Sequence, residues 1–183
     1  MYAHLSCGAA FPFHRDVWEA KLPLKIKVFS WALDKLPSGV NIANRFGPSD
    51  GRCALCGALE NVSHIFFECS LAKFSWAVCR QALGRDWTPS NFAQFFDILA
   101  NLLGHDRRML WVLFLAQSWA IWSVRNKVAI EKKVVRHPAD VLFKMLLFLQ
   151  LWTPALRSKD QEDARKLSDE LKKFHSSCRP TLT

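Results

Sequence analysis

Arg52-Cys-Ala-Leu-Cys-Gly-Ala-Leu-Glu-Asn-Val-Ser-His-Ile-Phe-Phe-Glu-Cys69 decides how this chain is read, because it places Cys53, Cys56, His64 and Cys69 at C-x2-C-x7-H-x4-C spacing. Two Cys separated by two residues can bind one metal from a single tight turn. A His and a Cys beyond them can close the site from a helix start or a second turn. Three sulfurs and one imidazole suit tetrahedral zinc, and four protein ligands leave no position for a reactive water. The expected cofactor is therefore structural Zn²⁺, with the four ligand atoms about 4 Å apart, the edge of a tetrahedron whose Zn–S bonds are near 2.3 Å. The spacing differs from the usual two-Cys, two-His finger, and either nitrogen of His64 can serve as the donor.

Around this stretch the helix signals are dense and strand signals weak, so the fold class is all-α: a small zinc-pinned helical module followed by a helical C-terminal region. Residues 1–17 show no clear period and read as an arm. The module spans 18–85 and the C-terminal region 86–183. In the module, a helix is expected from about 23 to 35, with Pro23 in its first turn and Leu24, Val28, Trp31 or Ala32, and Leu36 recurring at helical spacing, although the alternation around Ile26 and Lys27 also admits a strand at its start. Ser38 can cap a second helix ending near Phe46, before Gly47-Pro48. Asn61 can cap a helix carrying His64, Phe66 and Phe67. Ser70 can cap another running to about Leu83, with Leu71, Phe74, Val78 and Ala82 along one face and Trp76 and Ala77 beside it. Helix signals resume from Ser90 to Leu103, stopped by Gly104, and again from about Arg107 to Lys132. After His137-Pro138 they return over Ala139 to Trp152, and a charged helix from Arg157 to Phe174 carries Leu167, Leu171 and Phe174 on one stripe.

Composition narrows the function classes. Half of the 183 residues are hydrophobic and 13% aromatic, which excludes a disordered tail. The formal charge of +9, from 25 Lys and Arg against 16 Asp and Glu, favours a polyanionic partner over an acidic small molecule. Three of the six Cys belong to the metal pattern. Cys7, Cys79 and Cys178 are scattered and read as reduced thiols, and the first residues lack a signal-peptide pattern, so an intracellular, nuclear or cytoplasmic, location is expected. The apolar runs Met109–Val124 and Val141–Leu151 fall short of the roughly 20 residues that span a bilayer and read as core helices, with no membrane partner.

With these residues in view, the sequence resembles the zinc-binding domain found after the polymerase of plant non-LTR (LINE-type) retrotransposon reverse transcriptases. The resemblance runs from Trp18 to about Leu83. Its carriers are Trp18, Leu24-Lys-Ile-Lys-Val-Phe-Ser-Trp31, Leu36-Pro-Ser38, Cys53-Ala-Leu-Cys-Gly57, Glu60, Ser63-His-Ile-Phe-Phe67, Cys69 and Trp76. Further on, Ala120-Ile-Trp-Ser-Val-Arg-Asn126 resembles the Trp-x-x-Arg-Asn segment that often follows this module. The catalytic parts of such an enzyme have no counterpart here: no Asp-Asp pair occurs, and the only Tyr is Tyr2. The resemblance thus implies a non-enzymatic remnant or free-standing zinc module, with a separate reverse transcriptase polypeptide as one candidate partner.

Lys21, Lys25, Lys27, Arg45, Arg52 and Lys73 flank the expected metal site. A solvated helix surface and a phosphate-contacting surface both account for such cations. The resemblance favours the second, because zinc modules of retroelements are thought to grip template RNA or target DNA. A protein-interaction scaffold, in which zinc only folds the domain and apolar helices dock a partner, is the competing reading. Phe66 and Phe67 could stack on bases but at helical spacing beside a metal fit the core better, as do Trp111, Trp119 and Trp122.

Overall fold

In the computed structural model, described over residues 14–47, 50–133 and 137–177, the chain is helical throughout. The helices are α1 (His14–Glu19), α2 (Leu24–Trp31), α3 (Gly39–Phe46), α4 (Ser70–Ala82), α5 (Phe92–Ala100), α6 (Gly104–Ala129), α7 (Ala139–Trp152) and α8 (Ser158–Ser177). A π-helical turn covers His64–Glu68, and 3-10 turns cover Leu33–Lys35 and Thr153–Ala155. Among the described residues the β-structure is one isolated bridge, between Arg52 and Leu59. The expected arm over 1–17 falls mostly outside the described residues, but its end is α1, and Val17 is buried.

Helix α6 is the axis of the molecule. Met109 to Ser118 are buried without a break, so the helix is apolar on every side. Such a helix needs cover all round. Helices α7 and α8, the α4–α5 pair, α2 and the π-turn supply it. No helix among the described residues is long and apolar enough to cross a membrane. Gly104, read as a stop, instead begins α6: its φ of +52° is cheap for glycine and turns the chain sharply out of α5.

The aromatic surplus forms one connected core. Phe67 stacks near Trp76 and meets Phe92 edge-on, with centroids 5.9 and 4.8 Å apart. Phe95 stacks on Phe114 at 4.2 Å, and Phe29 meets Trp119 edge-on at 4.9 Å. Each such pair contributes about 0.5–1.5 kcal/mol beyond the area it buries. Phe66, Phe67, Trp111 and Trp122 are core residues as expected, while Trp119 is half-buried.

Two apolar faces differ from expectation. On α2 the buried residues are Ile26 and Phe29, continued by Leu33, whereas Leu24, Val28 and Trp31 are 67%, 45% and 51% exposed. The helix is apolar on opposite sides, and packing against α6 selects the side carrying Phe29. On α4 the expected face is kept but rotated: Leu71 and Val78 are buried as expected, together with Ala72, Ser75, Trp76 and Cys79, while Phe74 and Ala82 lie at the margin and Ala77 is exposed. The indole of Trp76 decides this orientation by donating to the Phe66 carbonyl at 2.9 Å inside the core. Ser70 is the first residue of α4 rather than its cap, and Cys69 occupies the cap position.

Two ion pairs, one buried and one partly buried, hold other elements to α6. Arg125 donates from Nε and Nη2 to the carboxylate of Glu60, and both residues are almost fully buried. At the other end, Asp160 of α8 accepts a bidentate pair from Arg108, at 2.8 and 2.9 Å, and contacts His105 Nδ1 at 2.6 Å. The Arg108 guanidinium, opposed by burial and assisted by His105, holds the Asp160 carboxyl below its ordinary range. Its side of the balance is therefore present above the unfolded carboxyl pKa of about 3.9 and lost as pH falls through the lower folded value. Asp160→Asn should remove part of the stability loss seen between about pH 4 and pH 2, at the expense of stability at neutral pH. An unchanged acid limb in thermal melts of the variant would refute this.

Removing one partner of a buried pair strands the other charge. Arg125→Leu should therefore destabilise the protein by about 3–5 kcal/mol. Urea unfolding of the zinc-loaded protein measures this directly, and a loss under about 1 kcal/mol would show that the pair is not what fixes α6 to the Glu60 segment.

Candidate metal centre

The first two ligands lie on a tight hairpin. Cys53 N donates to Ala58 O at 2.7 Å, Glu60 N to Gly51 O at 2.7 Å, and Gly57 N to Cys53 O at 2.8 Å. Gly57 closes the turn at φ +76°, a conformation that side-chain-bearing residues adopt only with strain. The Asp50 carboxylate accepts from Arg52 N at 3.0 Å, and the Arg52 guanidinium reaches Gly57 O at 2.9 Å, so both ends of the turn are held.

The second pair comes from the π-turn. His64 and Cys69 are five residues apart, and at 100° per residue an ordinary α-helix would point them about 140° apart. The widened turn, closed by Cys69 N donating to His64 O at 2.8 Å, brings them to one side. The Asn61 side chain accepts from His64 N at 2.7 Å and anchors the start of the segment. Buried Ile65, Phe66 and Phe67 face the core and fix the turn from behind. An x4 spacing that looks irregular on an α-helix is thus the register that a π-turn requires.

The four donors converge. Sγ of Cys53, Cys56 and Cys69 and a ring nitrogen of His64 all lie within 4.8 Å of one another. Cys53 and Cys69 sulfurs are 4.0 Å apart, and Cys56 Sγ is 3.2 Å from His64 Nε2, which identifies Nε2 as the inward nitrogen. These two edges match or fall below the expected tetrahedral edge, and the outer bound of 4.8 Å exceeds it slightly. Cys53, His64 and Cys69 are buried and Cys56 is exposed.

The chemistry of the donor set fits zinc. Backbone N–H groups of Leu55 and Cys56 meet the Cys53 sulfur, and that of Leu71 meets Cys69, which suits thiolate acceptors. Hydrogen bonding to Cys69 and then burial hold the Cys53 thiol well above the ordinary range, while the same contact lowers Cys69. Zinc would replace that shared proton, giving three thiolates and one neutral imidazole in a closed set. Cys79, a buried thiol far from this geometry, is pushed up to about 12 by burial and packs against Gln117 and Met145. The cluster is therefore a zinc-binding one with a structural role.

The six cations expected near it are all at the surface, though not equally free. Lys21, Lys25, Arg45, Arg52 and Lys73 are exposed and Lys27 is half-buried. Lys25 Nζ sits 5.8 Å from the centre of the Trp119 ring, Lys27 Nζ donates to Trp18 O at 2.8 Å, and Arg45 reaches Lys35 O at 3.4 Å.

Glu60 and Arg125 are the site-supporting pair that ligand spacing alone does not reveal. Glu60 Oε1 accepts from Gly39 N at 2.8 Å, and Glu60 O from Val40 N at 3.0 Å. The start of α3 thereby docks on the hairpin so tightly that a Cβ on Gly39 would lie 2.7 Å from the Gly51 carbonyl. Arg125 lies over the Trp122 ring at 5.2 Å and also donates to Asn126 Oδ1. The Trp-x-x-Arg-Asn segment is therefore a clasp for the zinc hairpin.

In comparisons with known proteins, the family model described as zinc-binding in reverse transcriptase matches residues 1–76. The match includes all four ligands and ends at Trp76, before the clasp on α6. That family is a zinc-binding domain, not a catalytic one. No curated protein and no solved structure matches the chain.

Chelation should unfold the hairpin and π-turn, since thiolate zinc sites contribute folding free energy on the order of 10 kcal/mol. Cys56→Ser should act like the chelator, because Cys56 is exposed and its loss leaves no core cavity. Far-UV circular dichroism and melting that ignore both treatments would rule out a structural metal.

Proposed function

We propose that this chain is a retroelement-derived zinc module that binds RNA or DNA without sequence preference, through cations beside a structural zinc. On this reading it is the module that follows the polymerase in plant LINE-type reverse transcriptases, acting as an accessory part with no catalysis of its own.

One observation carries the proposal. Among the described residues none of Lys21, Lys25, Lys27, Arg45, Arg52 and Lys73 is ion-paired; those with a side-chain contact reach a backbone carbonyl or an indole ring. Most lysines of α8 behave oppositely: Lys166, Lys172 and Lys173 each pair with a carboxylate three or four residues away, and among the described residues only Lys159 of that helix does not. Over 18–85 the sequence has nine Lys and Arg against five Asp and Glu, and one of the five, Glu60, is consumed inside by Arg125. Uncompensated cations on a rigid module suit phosphate contact, which needs charge and position but no base-reading motif.

The scaffold reading has one observation of its own. Phe143, Leu147 and Leu151 form an exposed stripe along α7, suited to a protein partner such as a separate reverse transcriptase polypeptide.

Salt titration separates the two. Four to six phosphate contacts should give a slope of log affinity against log salt of about −3 to −5. Lys21→Ala combined with Lys73→Ala should flatten the slope by up to about 2, without loss of zinc or of thermal stability. Lys25 and Lys27 are less clean targets, because each also braces a Trp. No binding to RNA, duplex DNA or single strands at low salt, with zinc bound, would favour the scaffold.

A further inference from the structure

The outer face of α2 carries an apolar stripe that the fold leaves exposed. Leu24, Val28 and Trp31 recur at i, i+4 and i+7 on the side opposite Ile26 and Phe29, and all three are largely exposed. At 100° per residue, Lys25 and Lys27 fall on the two flanks of this stripe. Trp18, 38% exposed, adjoins it through the Lys27–Trp18 contact. Lys21 stands just before the helix. Glu19 and Asp34 are the nearby acids in sequence, and Asp34 is occupied by Lys35 at 2.8 Å. Among the described residues no aromatic ring packs on Trp31. Exposed indoles interleaved with lysines that carry no ion pair form the surface on which unstacked bases lie while their phosphates are neutralised. A duplex presents only its phosphates to such a face, because its bases are already stacked on each other.

We infer that the α2 outer face is a platform for single-stranded nucleic acid, on which Trp31 stacks a base and Lys21, Lys25 and Lys27 hold the flanking phosphates. This rests on the proposed nucleic-acid function and specifies the form of strand it takes. The charge of the surroundings selects this occupant: an apolar stripe bordered by lysines on both sides repels a second copy of a +9 chain.

The test is equilibrium anisotropy with the zinc-loaded full chain, using a labelled 12-nucleotide uridine strand and a 12-base-pair DNA duplex. Trp31→Ala should weaken single-strand binding about tenfold and leave duplex binding within about twofold. The salt slope should not change, because no charge is removed. Trp31→Phe should keep most of the affinity, and Trp31→Leu, which keeps apolar bulk without a π-face, should lose it. The Leu variant also guards against misfolding in the Ala variant, with zinc content and melting checked for each. Equal loss on strand and duplex, or none on either, overturns the platform but leaves the electrostatic function standing. Failure of the wild-type protein to bind either probe overturns both. Self-association in sedimentation that Trp31→Ala dissolves would assign the stripe to a second copy and overturn the platform as well.

Discussion

The carboxylate of Glu60 is the constraint on which the arrangement depends. It lies at the foot of the zinc hairpin and accepts from the first backbone N–H of α3 and from the Arg125 guanidinium on α6. A buried carboxylate with fewer partners would impose a desolvation cost of several kcal/mol. Here the helix-terminal N–H and the two-nitrogen contact from Arg125 satisfy it together. The hairpin, α3 and α6 are therefore tied to one another through one buried carboxylate. Zinc orders the hairpin and the π-turn; Glu60 decides where they sit.

This division explains how much was legible in the sequence. The four ligands follow from spacing, since few arrangements other than a metal site bring three Cys and a His so close along a chain. The π-turn is hidden in the same letters: His-x4-Cys meets across a ligand only if the helix widens, and helical periodicity assumes that it does not. The all-α class and most helix bounds followed from capping and breaking residues. Ser38 accepts from Asn41 N as a cap should, and Ala139 to Trp152 is the helix expected after His137-Pro138.

Faces were harder to read than helices. Two opposite stripes of α2 are apolar, so its periodicity admits two orientations and the sequence offers no local means of choosing. The choice belongs to Phe29, which packs between Phe66 and Trp119, residues 37 and 90 positions away. On α4 it belongs to the Trp76 indole and its buried carbonyl partner. Both are tertiary decisions, made by aromatic shape and one hydrogen bond. The ion pairs were illegible for the same reason: 65 residues separate Glu60 from Arg125.

The reassignment of α2 also moves the aromatic chemistry. Phe66 and Phe67, the aromatic neighbours of the metal ligands, are spent inside the core, where they tie the π-turn to α4, α5 and α6. Trp31 is left outside by the same packing choice that buries Phe29. A half-exposed indole is a costly group to leave in water, about the loss of a buried apolar side chain's worth of transfer free energy scaled by its exposed half. The lysines around it keep the stripe solvated and discourage apolar self-pairing. Charge that is unpaired within the fold and apolar area that is unburied within the fold thus coincide on one helix. The same coincidence is not found on α8, where three of four lysines, Lys166, Lys172 and Lys173, are neutralised along its own length and the apolar stripe, Ala164, Leu167 and Leu171, is buried. The two helices thus differ in what their cations are already bound to: carboxylates along most of α8, a backbone carbonyl and an indole on α2.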